Sequence, residues 1–131
     1  MKASIDDYQI GNWVVYLLEG NYCQVKSLGP VFELEGALRT FRTKAENIGA
    51  IEITEDKMQV LGFEIQFPAF LKNYNDICFK IIKASASPKI FKLSCNDENY
   101  GAIRYIHQVQ NAYHRITGRQ LKGNLYGVRE G

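Results

Sequence analysis

The residues best able to do chemistry lie in the stretch Ile103 to Ile116, where Arg104, His107, Gln108, Asn111, His114 and Arg115 recur with no acid among them. Arg119 and Lys122 continue the series. Guanidinium and ammonium groups neutralise phosphate, and Gln, Asn and His hydrogen-bond phosphate oxygens or base edges, so this combination points to a nucleic-acid or nucleoprotein surface. The same groups pair equally well with carboxylates, which leaves an acidic protein surface as the alternative partner.

Other chemistries find less support. His107 and His114 are seven residues apart, about 10 Å along a helix axis, whereas zinc motifs on a helix place two His one turn apart. No metal site is expected. Cys23, Cys78 and Cys95 are widely separated, form no paired motif and are odd in number, which does not suit a disulfide framework. Cys23 and Cys78 lie in apolar runs as small core residues, while Cys95 falls in a polar loop beside Asp97 and Glu98, which discourage a thiolate. No glycine-rich phosphate loop is present, and Glu52 and Glu64 alternate with apolar neighbours as solvent-facing strand residues. No catalytic residue and no cofactor are assigned.

A helix must carry the polar set. Ile103, Ile106, Val109, Tyr113 and Ile116 are spaced 3, 3, 4 and 3 apart, which gathers them into one stripe at 3.6 residues per turn. Gly118 follows where a left-handed cap is needed, and Asn96 to Asn99 offer capping groups upstream. Gln110 borders the stripe and suits a bond to a loop backbone. The apolar face goes inward and the polar face outward.

The rest of the chain reads mostly as strand. Trp13 to Leu18, Tyr22 to Leu28 and Val31 to Leu34 are short β-rich runs separated by Gly20-Asn21 and Gly29-Pro30. Ala37 to Asn47 is polar and basic, a loop or irregular edge, and Ala50 to Ile53 is another short strand. Thr54 caps a short helix that carries Glu55 and Asp56 in its first turn and stops at Gly62. Phe63 to Phe67 alternates as a half-buried strand, Lys72 to Asp76 is a connector, and Ile77 to Lys83 pairs with Ile90 to Leu93 as a hairpin. The expected fold is α+β: an N-terminal antiparallel meander or small, partly open barrel, a short central helix, a β-hairpin, and a long C-terminal amphipathic helix packed on the sheet. One domain spans 1–131, with 1–7 and 119–131 as loose tails.

Composition is ordinary for a globular chain: 131 residues, 46% hydrophobic and 23% charged. No apolar run approaches the roughly 20 residues of a membrane span, and Met1 to Ile10 is too polar for a secretory signal, so a cytoplasmic protein without membrane contact is expected. The net charge of +2 conceals a division: residues 1–79 carry 7 basic against 11 acidic side chains, and residues 80–131 carry 9 against 3. The basic C-terminal part, including Lys80, Lys83, Lys89 and Lys92, favours an anionic partner.

Three blocks resemble a set of short phage and integrated-element proteins of Bacteroidetes-type bacteria. They are Tyr8-Gln9-Ile10-Gly11-Asn12-Trp13-Val14, then Ile53-Thr54-Glu55-Asp56 running to Leu61-Gly62-Phe63-Glu64, and Tyr105 to Tyr113 ending in Ile116-Thr117-Gly118. The resemblance covers all but the last dozen residues, and its helix block is the most specific. It implies a mobile-element origin and action inside a host cell, and it implies no reaction. Where that pattern turns acidic after the capping glycine, this chain has Arg119-Gln120-Leu121. Together these point to a non-catalytic accessory protein that occupies RNA, DNA or a host ribonucleoprotein, in the manner of an anti-CRISPR inhibitor of nucleic-acid-based defence. The alternative is a protein-interaction or structural module, part of a virion or an oligomer, with no nucleic-acid binding.

Overall fold

A computed structural model describes residues 4–128. In chain order the elements are β1 (Trp13–Tyr16), β2 (Asn21–Ser27), β3 (Val31–Glu35), β4 (Thr40–Lys44), a 3-10 turn (Ala45–Asn47), β5 (Ile48–Gly49), α1 (Glu55–Val60), β6 (Glu64–Gln66), β7 (Ala69–Tyr74), β8 (Ile77–Ala86), β9 (Lys89–Cys95), β10 (Glu98–Ile103) and α2 (Ile106–Thr117). The fold is α+β; the described residues form two antiparallel sheets and no closed barrel. The chain divides into two compact units, one of residues up to Glu52 together with those from Tyr105, the other Ile53–Arg104.

The first unit holds the sheet β4-β3-β2-β1-β5 and helix α2. Its strands alternate as half-buried strands should. Val14, Cys23, Val25, Leu34 and Ile48 form a core cluster, and Tyr8, Tyr16, Phe32 and Phe41 pack around it. The β1–β2 connection is four residues long: Tyr16 pairs with Asn21, and Gly20, at φ 75°, donates its N–H back to Tyr16 O at 2.8 Å. Leu17 and Leu18, expected in the strand, therefore sit in an exposed turn. The stretch 37–47, expected as a loop or irregular edge, contains the edge strand β4, whose Phe41 and Thr43 turn toward the core while Arg42 and Lys44 stay in water.

The second unit is one five-stranded meander, β6 to β10, preceded by α1. Thr54 caps α1 as expected, its hydroxyl accepting from Lys57 N–H. All four meander connections have two residues between paired positions: 67–68, 75–76, 87–88 and 96–97. The expected single hairpin is thus flanked by β7 and β10. Asn96 and Asp97 both adopt positive φ, 50° and 68°. Asn and Asp tolerate that conformation and make the tight hairpin turn, so these residues reverse the chain instead of capping a helix. Ile103 is consequently a buried strand residue, and α2 starts at Ile106.

Within α2, Ile106, Val109, Ala112 and Tyr113 are buried, as the apolar stripe requires. Gly118 closes the helix in the left-handed region, φ 75°, with its N–H on His114 O. Loose tails are the expectation at 1–7 and 119–131. Residues 5–7 are bonded to α2, and beyond Gly118 both Leu121 and Leu125 are buried. That expectation for residues 1–3 and 129–131 lies outside the described residues.

Candidate functional site

The polar side of α2 does not present itself as one open face. His107 is only 4% exposed and Asn111 3%, with Gln110 beside them at 2%. These residues hold the start of the chain. Asn111 donates both amide hydrogens to main-chain carbonyls, Ile5 O at 2.9 Å and Asp7 O at 2.7 Å, and its Oδ1 accepts from Asn12 Nδ2 at 2.8 Å. Gln110 accepts from Trp13 N–H at 2.8 Å and donates to Gly11 O at 3.1 Å, which ties the helix to the head of β1. Gln108, half-buried, accepts from Tyr105 N–H at 2.9 Å, where it caps its own helix, and donates to the Asp6 carboxylate. Main-chain groups at the beginning of the chain need partners, and amides supply both donors and acceptors at fixed reach. Of the predicted site residues, His107, Gln108 and Asn111 are hydrogen-bonded to residues 5–12 of the same chain.

His107 lies in this clasp. Its Nε2–H donates to Asp6 O at 2.9 Å, since a carbonyl can only accept. The ring stacks with Tyr105 at 5.9 Å and 12° and meets Tyr8 at 4.8 Å and 56°. Its other nitrogen, Nδ1, is buried without a hydrogen-bond partner. Burial pushes the imidazole pKa below its ordinary 6.5, outweighing the Asp6 carbonyl and the Asp6 and Asp7 carboxylates, which pull the other way. At neutral pH the ring is therefore uncharged and contributes no cation to an anionic ligand.

The remaining predicted residues stay in water. His114 and Arg115 are exposed in the last turn of α2, and Arg119 and Lys122 are exposed beyond its cap. Arg104 is exposed too, but it follows β10 in the second unit and is not part of the helix. Four of the eight candidates thus cluster around the C-terminal end of α2. Among the described residues no His, Cys, Asp and Glu group is placed to hold a metal ion, and all three cysteines are free.

A second feature was not anticipated. At the turn end of the first sheet, a cleft of about 650 Å³ is lined by the β1–β2 turn, the β3–β4 turn and residues 126–128. Small-ligand sites typically span about 300–1,000 Å³. Arg39 bridges the two turns, its Nη2 lying 3.0 Å from both carboxylate oxygens of Glu19, and its guanidinium lies 4.5 Å from the centre of the Phe41 ring. Tyr126 packs edge-on against Trp13 at 4.8 Å and donates its hydroxyl to Glu35 O at 2.9 Å. Burial raises the pKa of the Cys23 thiol, Glu19 adds to the rise and Arg39 opposes it, so the cleft's thiol stays protonated. Leu38, which lines the cleft, is 98% exposed, and Leu17 and Leu18, on the β1–β2 turn, are both more than half exposed. The available signal in the sequence was the placing of leucines, at 17, 18 and 38, beside Gly20 and Gly36, where a turn needs none.

Among the described residues no helix is long and apolar enough to cross a membrane. No protein-family model matches the chain, and no curated protein or solved structure is significantly similar to it.

Proposed function

We propose that this chain is a non-catalytic interaction module that docks on another protein through the turn end of its first sheet. The observation that carries this reading is Leu38, almost fully in water at the tip of a turn, with Leu17 and Leu18 exposed on the turn to which Arg39 and Glu19 bind it. Exposed leucines scattered singly mean little, but Leu38 on an aromatic-lined cleft, with Leu17 and Leu18 on the neighbouring turn, is what a partner's apolar side chain would cover. The protonated Cys23 thiol and the Arg39–Glu19 pair suit packing and recognition better than nucleophilic chemistry. The resemblance to mobile-element proteins supports a partner in a host cell.

The experiment is affinity capture from host lysate, nuclease-treated throughout, with the intact chain and with Leu38→Asp as bait. A protein retained by the first and lost by the second supports the reading. Equal retention by both counts against it.

A second reading keeps the nucleic-acid partner, and with it an inhibitor of nucleic-acid-based defence. The exposed His114, Arg115, Arg119 and Lys122 around the end of α2 favour it. Three permanent cations on phosphate give a slope of log K against log salt of about −2 to −3. Binding to RNA or DNA with that slope, reduced by Arg119→Gln and Lys122→Gln, supports it. No retention at low salt removes it.

A further inference from the structure

We infer that residues 4–8 form an acid-released clasp: proton uptake by His107 detaches them from α2 while the first sheet stays folded.

The geometry supplies the trigger. His107 is buried between Tyr8 and Tyr105, and its only hydrogen goes from Nε2 to Asp6 O. The imidazolium must carry a second hydrogen on Nδ1, which is buried with no acceptor. A buried, unsatisfied, charged donor is among the costliest groups a fold can hold. Lifting the segment removes Tyr8 and Asp6 from the ring and hydrates it.

The facing groups are known from every element around the ring. From the segment come the Asp6 and Asp7 carboxylates and the Tyr8 phenol; from the helix start comes the Tyr105 phenol. The two carboxylates favour the cation, but Asp6 already accepts from Gln108 Nε2, and burial outweighs both. The sign follows. The closed state binds the proton less readily than the open one, so closure is at full strength above the ordinary histidine value of about 6.5 and weakens as pH falls below it. Within that window the ratio of open to closed rises about tenfold per pH unit, until the closed state's own lowered value is reached.

The grip is also local. Residues 5–7 are held to α2 by side chains of three residues, His107, Gln108 and Asn111, and contribute no strand to a sheet. Segments held in this way open without global unfolding. Tyr8 packs on the edge of the cluster Val14, Cys23, Val25, Leu34 and Ile48 without belonging to its strands, and Gly11 and Asn12, which exchange main-chain hydrogen bonds with Val25, stay with the sheet.

The test is hydrogen exchange of the full chain, read by mass spectrometry from pH 7.5 to 5.0 and corrected for the intrinsic pH dependence of amide exchange. Protection of residues 4–8, where Asp7 N–H is bonded to Ser4 O, should fall about tenfold per unit below pH 6.5 while Gly11, β2 and β3 remain protected. His107→Gln keeps a donor and cannot take the proton, so its protection should be flat; His114→Gln, altering the exposed histidine, should follow the parent. Unchanged protection in the parent, an identical fall in His107→Gln, or simultaneous loss across β2 and β3 would each overturn the inference. Should His107→Gln not fold, NMR titration of the parent decides: a His107 midpoint below 6.5, moving with the amides of residues 4–8, upholds it, and a midpoint at or above 6.5 refutes it.

Discussion

Replacing Asn111 by alanine tests the clasp most directly. Three hydrogen bonds disappear at once: the two from Nδ2 to Ile5 O and Asp7 O, and the one accepted from Asn12 Nδ2. A net hydrogen bond contributes about 0.5–1.5 kcal/mol, so the three together contribute about 3 kcal/mol. Two effects move that figure in opposite directions. Asn12 is itself buried, and its orphaned amide bears a desolvation cost, although its Oδ1 still accepts from Gln9 N–H at 2.8 Å. The carbonyls of Ile5 and Asp7 lie near the surface, where water can replace the lost donors. A loss of about 3 kcal/mol is a large part of the 5–15 kcal/mol that holds a typical domain. Urea unfolding followed by circular dichroism gives the global value, and proteolysis at residues 4–12 reports the local one. Loss of stability below about 1 kcal/mol, with the segment still protected, would refute the claim that these amides hold the start of the chain.

Other outcomes follow from the same structure. Ile106, fully buried in α2, should cost about 2–5 kcal/mol as alanine, and Ile106→Asp should leave no cooperative melt by calorimetry. Thr54→Ala removes the acceptor for Lys57 N–H and should cost about 1 kcal/mol, read from the urea midpoint at unchanged slope. Leu38→Asp should leave the melting temperature within about 1 °C, because almost all of that side chain is already in water, while abolishing capture of a protein partner. Gly127 lines the cleft with open space beyond its Cα, so Gly127→Leu should fold normally and block the same partner.

Much of the fold was legible because its signals are local. The stripe Ile106, Val109, Tyr113 and the cap at Gly118 place α2, and Thr54 with Glu55 and Asp56 places α1. The missed strands have a common cause. Residues 40–44, 69–74 and 98–103 are edge or polar-rich strands whose alternation is interrupted by Arg, Lys, Asn or Gly, and their identity depends on neighbours along the sheet. Asn96-Asp97 carries two meanings, cap and hairpin turn, and only the partner strand decides between them. The clasp was illegible for a similar reason: Asn12 and Asn111 are 99 residues apart, and nothing local couples them.

The division of α2 into an inner and an outer polar half can be argued from solvation alone. Residues 107–111 contain one imidazole and three amides but no permanent charge, and the cations Arg115, Arg119 and Lys122 all come later. Burying an amide costs little once its donors and acceptors are paired, and here Gln110 and Asn111 pair both kinds of group. Burying a guanidinium costs far more, because few protein sites match its hydration. A polar stretch without Lys or Arg can therefore go inside against main chain, whereas a cationic one is held at the surface. His107 is the borderline member, uncharged when enclosed and charged when hydrated, which is why the clasp is sensitive at that residue. The absence of acids along the helix thus has two origins. In its first half an acid would face the carbonyls of Ile5, Asp6 and Asp7, and in its second half the absence leaves an acid-free stretch of helix with its cation exposed.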